Sequence, residues 1–304
     1  MLYFKNIFVA VSNNLIKWVI FVLLSLIWGS SFILMKIGLE NSLTAYQIAS
    51  LRIVAAGIVL FPIAIKNIRG IPFNKLLLVF ISGVLGSLLP AYLFCIAEEE
   101  IDSSLAGTLN CLTPIFVIIS GVLFFRVTPP SSKVLGILIA FTGSILLLLS
   151  KGHMQESKHL LYASLVILAT FLYGFNVNMV TRHLLEISSF HIAAVALVLN
   201  AIPALIVLIS TGYFSLPLAQ SNLLLATGAS FLLGVFGTAV ATVLFYVLVK
   251  NAGGIFASMV TYGIPFVAIG WGIYFGEQFG WQQVGCLLVI LAGVYFVNRR
   301  PVAK

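Results

Sequence analysis

The sequence predicts an all-α polytopic membrane protein with ten transmembrane helices arranged as two inverted five-helix repeats. Three observations predict it. Of the 304 residues, 61% are apolar and 8% charged, with mean hydropathy +1.16; soluble domains have roughly 45–50% apolar and about 25% charged residues, so lipid must solvate most of this surface. The apolar residues fall into runs of about the length that crosses a bilayer. The order of glycines, prolines and aromatics in the first half recurs in the second.

The first run, 18–37, follows Lys5 and Lys17. It is as long as a full span and no small-residue cleavage site closes it, so it reads as an uncleaved helix and not a signal peptide. Helices 2 to 4 are expected at 44–65, 76–97 and 103–125. The fifth, 134–150, is the shortest. The second half repeats the pattern at 160–181, 189–210, 223–249, 254–275 and 281–298, with the eighth helix the longest. Barrel strands are excluded, since they are about 9–11 residues long and alternate apolar with polar.

Loop charge sets the orientation. With the N-terminus cytoplasmic, Lys5, Lys17, Lys66, Arg69, Lys75, Arg126, Lys133, Arg182, Lys250, Arg299, Arg300 and Lys304 are inside, twelve of the sixteen basic residues. Lys36, Lys151 and Lys158 are outside, and Arg52 lies within helix 2. Glu40, Glu98, Glu99, Glu100, Asp102, Glu156 and Glu277 face out, and only Glu186 faces in. Both termini are therefore expected in the cytoplasm, in a plasma membrane of bacterial inner-membrane type. The net charge of +8 is thus topological; without a basic run or stacking aromatics, no nucleic-acid partner is expected.

Aligning Pro114 with Pro265 brings Gly83 onto Gly234, Gly86 onto Gly237, Phe94 onto Phe245, Ala106 onto Ala257 and Asn110 onto Thr261. A two-residue gap then brings Gly136 onto Gly285. The repeats are residues 1–150 and 151–304. Five helices each give the halves opposite orientations, and the charges agree: Arg126 faces in against Glu277, and Lys250 faces in against Glu99. Inverted repeats are the signature of many secondary transporters.

Helix 1 carries "WGSSF" (Trp28 to Phe32), helix 2 holds Arg52, helices 4 and 9 carry the paired "TPIFV" and "IPFVA" segments, and Gly276-Glu277 precedes a glycine-spaced last helix. With these motifs the residues from about 18 to 298 resemble the drug/metabolite transporter superfamily, specifically its ten-helix EamA-type members. The resemblance implies an exporter or exchanger of amino acids, other metabolites or drugs, with a central cavity between the halves and both the lipid bilayer and a small molecule as partners. Two features depart from the family pattern: Phe125-Arg126 where an acidic residue often follows helix 4, and the triple acid Glu98-Glu99-Glu100.

Arg52 is the only charged residue well inside a predicted helix. Such a group is either a snorkelling or carbonyl-paired structural arginine, or one that meets substrate or a gate; if it meets substrate, it favours an anion or a carboxylate. Candidate substrate-binding residues are Trp28, Ser31, Arg52, Tyr92, Asn110, Thr113, Asn176, Thr238, Tyr246, Tyr262 and Trp271, with Tyr173, Asn178, Thr242 and Thr261 on the same helices. Convergent polar groups among aromatics suit a small organic ligand, and the same residue types also serve as interhelical hydrogen bonds. Asn176 and Asn178 are two apart, so at most one points at a common site. Pro90, Pro114, Pro203 and Pro265 each remove a backbone donor inside a predicted helix. Gly29, Ser30, Gly83, Gly86, Gly234 and Gly237 are assigned to close helix packing.

No cofactor is expected. Cys95, Cys111 and Cys286 sit in apolar runs, the four histidines have no zinc spacing, and phosphate loops and nucleophile elbows are absent. Every Asp and Glu falls at a helix end or in a loop, so competition between a proton and a cation at a central carboxylate is not expected. Exchange or facilitated movement of neutral, zwitterionic or anionic metabolites fits better. The other readings are a non-transporting accessory subunit, a receptor or scaffold, and a membrane-bound enzyme, the last requiring paired ionisable groups at one face that the sequence lacks.

Overall fold

The computed structural model describes residues 2–149, 157–274 and 280–298. Lys151, His153, Glu156, Gly276, Glu277, Arg299, Arg300, Lys304 and the expected repeat junction at 150/151 lie outside the described residues. Among the described residues ten helices follow in order: α1 (Leu2–Glu40), α2 (Ala45–Asn67), α3 (Phe73–Ala97), α4 (residues 103–125), α5 (Ser131–Leu149), α6 (Ser157–His183), α7 (Ser189–Ser210), α8 (Ser221–Ala252), α9 (residues 254–274) and α10 (Trp281–Asn298). No strand occurs among the described residues. Among the described residues eight helices are long and apolar enough to cross a bilayer, while α5 and α10 are shorter apolar helices. One boundary differs widely from expectation: α1 begins near the N-terminus and not at residue 18. No glycine or proline precedes Gly29, so nothing in the chain interrupts the helix there.

The packing repeats as the sequence does. Helix α2 lies along α7, and α5 along α10, so these helices meet their own counterparts. Helix α3 contacts α6 and α7 as α8 contacts α1 and α2, and α4 packs on α6 as α9 packs on α1. Exchanging the halves maps these contacts onto one another, as an inverted repeat requires.

Small residues make the seams. Without a hydrophobic drive in lipid, helices gain by close backbone approach. A Cβ added to Gly293 of α10 would lie 2.4 Å from the Ala140 nitrogen and 2.5 Å from the Gly136 oxygen of α5. Gly83 lies against Asn200 of α7, and its repeat partner Gly234 against Arg52 of α2. The outer surface is apolar, with Leu77, Leu123, Phe124, Ile206 and Leu224 more than half exposed, which is the face lipid covers.

Polar groups cluster at the two ends of the bundle. At the basic end Lys75 pairs with Glu186, and Lys250 donates to the Ile187 carbonyl. At the acidic end a capping box of Thr44 and Gln47 starts α2. The Ala45 N–H there also donates to Glu99 Oε1 (3.2 Å), so one member of the triple acid serves as a helix-end anion.

Candidate functional site

Four helices lose their regular backbone at mid-height, in repeat-related pairs. Helix α3 has a π turn at Val84–Leu88, and α8 a longer one at Leu233–Val240. Helix α4 tightens to a 3₁₀ turn at Asn110–Leu112, and α9 to one at Met259–Gly263. The prolines explain three of these. A proline leaves the carbonyl four residues upstream without its helical donor, so Pro90, Pro114 and Pro265 release those of Gly86, Asn110 and Thr261. Pro203, and also Pro62, lie in helices that continue through them. Non-helical backbone at membrane depth is tolerated where protein or a wet cavity satisfies it.

Such a cavity lies there. Gly86, Asn110 and Thr261 all line it, between the two halves. About 80 Å³ is open to the centres of water-sized molecules, room for roughly half a dozen. Its wall contains four repeat pairs: Gly86 with Gly237, Ser87 with Thr238, Phe94 with Phe245, and Asn110 with Thr261. The repeat axis therefore passes through the cavity, and each half supplies matching walls.

Of the eleven predicted residues, eight line the cavity: Trp28, Ser31, Arg52, Asn110, Thr113, Asn176, Thr238 and Tyr246. Trp28 Nε1 donates to the Gly237 carbonyl (3.1 Å), closing the backbone that the α8 π turn opens. Arg52 Nε donates to Thr238 Oγ1 (3.1 Å), and its Nη1 to the Met35 sulfur (3.6 Å). Thr113 Oγ1 donates to Asn110 Oδ1 (3.1 Å). Asn176 Nδ2 donates to the Tyr246 hydroxyl (3.3 Å), and its Oδ1 is buried without a partner. Asn178 points away, donating to the Val117 carbonyl and Ser120 of α4 (2.7 and 3.0 Å), so the two asparagines part as their spacing requires.

Three predicted residues are placed elsewhere. Tyr262 is wholly buried and donates to the Ile137 carbonyl of α5 (3.1 Å), because the 3₁₀ turn rotates it off the cavity side. The Tyr92 hydroxyl pairs with Ser50 (2.7 Å) on the α2 side of α3. Trp271 Nε1 donates to Ser30 Oγ (2.9 Å), tying α9 to α1. The cavity also takes Phe32, Met35, Ser87, Phe94, Phe245 and Ser258, beyond the candidates of the sequence. The repeat alignment was the signal for Phe94 and Phe245, which it pairs. Ser87 was equally accessible, since it falls opposite Thr238.

No carboxylate lines the cavity among the described residues. Glu98 instead borders a separate depression at the acidic end, with Lys36, Glu40, Thr44, Glu99 and Asp102. Its Oε2 accepts from Ser103 Oγ (3.2 Å) and its Oε1 is buried without a partner. Burial pushes this carboxyl up to about 8, against the pull of the Ser103 hydrogen bond and of Arg52 and Lys36. Glu98 is therefore neutral over much of the physiological range.

Comparison with known proteins agrees with this architecture. The model of the EamA-like transporter family matches twice, over residues 16–149 and 160–299. An uncharacterized transporter of Archaeoglobus fulgidus is 28% identical over 289 residues, covering 93% of this chain and 99% of the relative. Protein PagO of Salmonella typhimurium is 22% identical over 284 residues, covering 91% of each. A solved crystal structure superposes with a TM-score of 0.67 at 15% identity, covering 94% of this chain and 97% of the other, and shows the same fold.

Proposed function

The chain belongs to the EamA-like transporter family, and we propose that it is a secondary transporter that exports or exchanges small metabolites or drugs by alternating access at the central cavity. The observation that carries the reading is the set of four repeat pairs facing one another across that cavity. Two similar halves around one site have two equivalent tilts, each exposing the site to one membrane face. The paired π and 3₁₀ turns place irregular backbone where the halves meet, and such points absorb a rocking motion. A cavity wall without carboxylates among the described residues supports exchange or facilitated movement over proton–cation competition at its centre. The positive-inside charge pattern supports a bacterial-type plasma membrane with both termini in the cytoplasm.

Counterflow into liposomes holding the purified protein tests this reading. The expected result is saturable uptake of one class from a labelled panel of amino acids, nucleosides, organic acids and drugs. Folded protein that moves none of them, with or without an imposed proton gradient, would remove the transport mechanism.

A further inference from the structure

We infer that the cavity takes a small organic anion, whose acidic group binds the Arg52 guanidinium while its apolar body lies among Trp28, Phe94 and Phe245. This rests on the transport reading and narrows its substrate class.

Arg52 enters the cavity from α2, about two turns past the start of that helix, and is the one charged group on the wall among the described residues. A charge at that depth is unfavourable unless something compensates it. Direct contacts compensate it poorly, and the Glu98 carboxyl, which feels its charge, makes neither an ion pair nor a hydrogen bond with it. Its hydrogen-bond acceptors are the Thr238 hydroxyl and the Met35 thioether, both neutral, and a thioether is a weak acceptor. The ion pairs among the described residues are Lys36 with Glu40 and Lys75 with Glu186, and neither involves Arg52. Met35 already shares its sulfur with the Cys95 thiol (3.6 Å), so a ligand that displaces the Arg52 contact leaves the sulfur partnered. The guanidinium thus keeps donors for a planar two-oxygen acid group, the partner its fork fits best.

A second observation points to the same ligand. Asn176 Oδ1 is buried and without a donor, while its amide nitrogen is taken by Tyr246. A buried acceptor left unmade is unfavourable, and a hydroxyl or N–H on the bound molecule would satisfy it. Between these polar points the wall is aromatic. Trp28 lies against Phe245 with ring centroids 5.4 Å apart, and Phe94 stacks on Tyr173 at 6.2 Å. An acid group, an apolar body and one donor therefore have matching places, and no group on the wall among the described residues would hold an ammonium by charge.

The test measures binding and transport separately, on the full chain. Melting of the detergent-purified protein is followed with phenyllactate, phenylphosphonate, the neutral amide of phenyllactate and phenethylamine. Stabilisation by the acids, with the amide at least ten-fold weaker and the amine without effect, is the expected result, and it needs only the unaltered protein. Carboxylate and phosphonate are separate arms because both carry the recognised charge. Arg52→Gln should weaken the acids by about thirty-fold or more, and Arg52→Lys by an intermediate factor, since it keeps the charge but not the fork. Equal stabilisation by amide and acid, or no stabilisation by either acid, overturns the inference. In liposomes, saturable movement of a neutral or cationic solute that is indifferent to Arg52→Gln overturns it too, while leaving the transport reading intact. Folded protein that binds the acids yet moves no solute spares the site and removes the transport reading.

Discussion

Replacing Glu98 with Gln should make the protein more stable at alkaline pH and leave it unchanged at acid pH. The Glu98 carboxyl rises from an ordinary value of 4.5 to about 8, chiefly because it is buried. A carboxyl raised in this way holds its proton more tightly in the fold than in the unfolded chain. The stability this brings is complete below about pH 4.5 and is lost as pH rises through about 8. At about 1.4 kcal/mol per unit the full difference is about 5 kcal/mol. Water at the partly exposed remainder of the residue relaxes some of this, leaving roughly 2–3 kcal/mol. Glutamine is neutral throughout and can still accept from Ser103, so the variant avoids the loss. The assay is melting of both proteins in detergent from pH 5 to pH 9.5, read as the difference between them so that other titrating groups cancel. The curves should coincide near pH 5 and part by about 5 °C above pH 8.5. Parallel curves over the whole range would refute the reasoning, because they would mean that Glu98 ionises as freely in the fold as out of it.

Three further outcomes follow from single contacts. Arg126 ends α4 in the left-handed region (φ 55°), where a side chain is strained, so Arg126→Gly should stabilise the protein by about 0.5–1 kcal/mol, read as a higher melting temperature. Gly293→Leu should abolish the monodisperse folded protein on size exclusion, because even a Cβ there meets α5 backbone at 2.4 Å; near-normal yield and melting would contradict the α5–α10 seam. Tyr262→Phe removes the hydrogen bond to Ile137 and should lower stability by about 1 kcal/mol without altering ligand affinity, which melting with and without ligand would separate.

Much of the fold was readable because lipid imposes it: span length and repeat order survive in the sequence alone. What was not readable is which face a polar residue takes. In a soluble helix the apolar stripe marks the buried side, but these helices are apolar all round, so the stripe that would orient Tyr246 inward and Tyr262 away is missing. The backbone turns add a second reason. A 3₁₀ or π turn changes the angle between successive side chains, and this is what moves Tyr262 onto α5 while its neighbour Thr261 stays on the cavity wall. Prolines signal three of the four turns, whereas the π turn of α8 has no proline and holds only the glycines Gly234 and Gly237, which were read as packing residues. The repeat alignment was the better guide, since it pairs Phe94 with Phe245 and Ser87 with Thr238, all on the wall. The triple acid that departs from the family pattern also has a structural account: Glu99 caps α2, and Glu98 is held by Ser103.

The most direct test of the central claim is counterflow in proteoliposomes with two variants that differ in one respect, whether the altered side chain faces the cavity. Asn110→Ala changes the wall, and Tyr262→Phe changes a contact to α5 one residue past the repeat partner of Asn110. The account predicts saturable uptake by the unaltered protein, a rise in half-saturating concentration of at least about ten-fold for Asn110→Ala, and no change for Tyr262→Phe. Uptake that responds to Tyr262→Phe and ignores Asn110→Ala would place the pathway away from the cavity between the repeats and contradict the account.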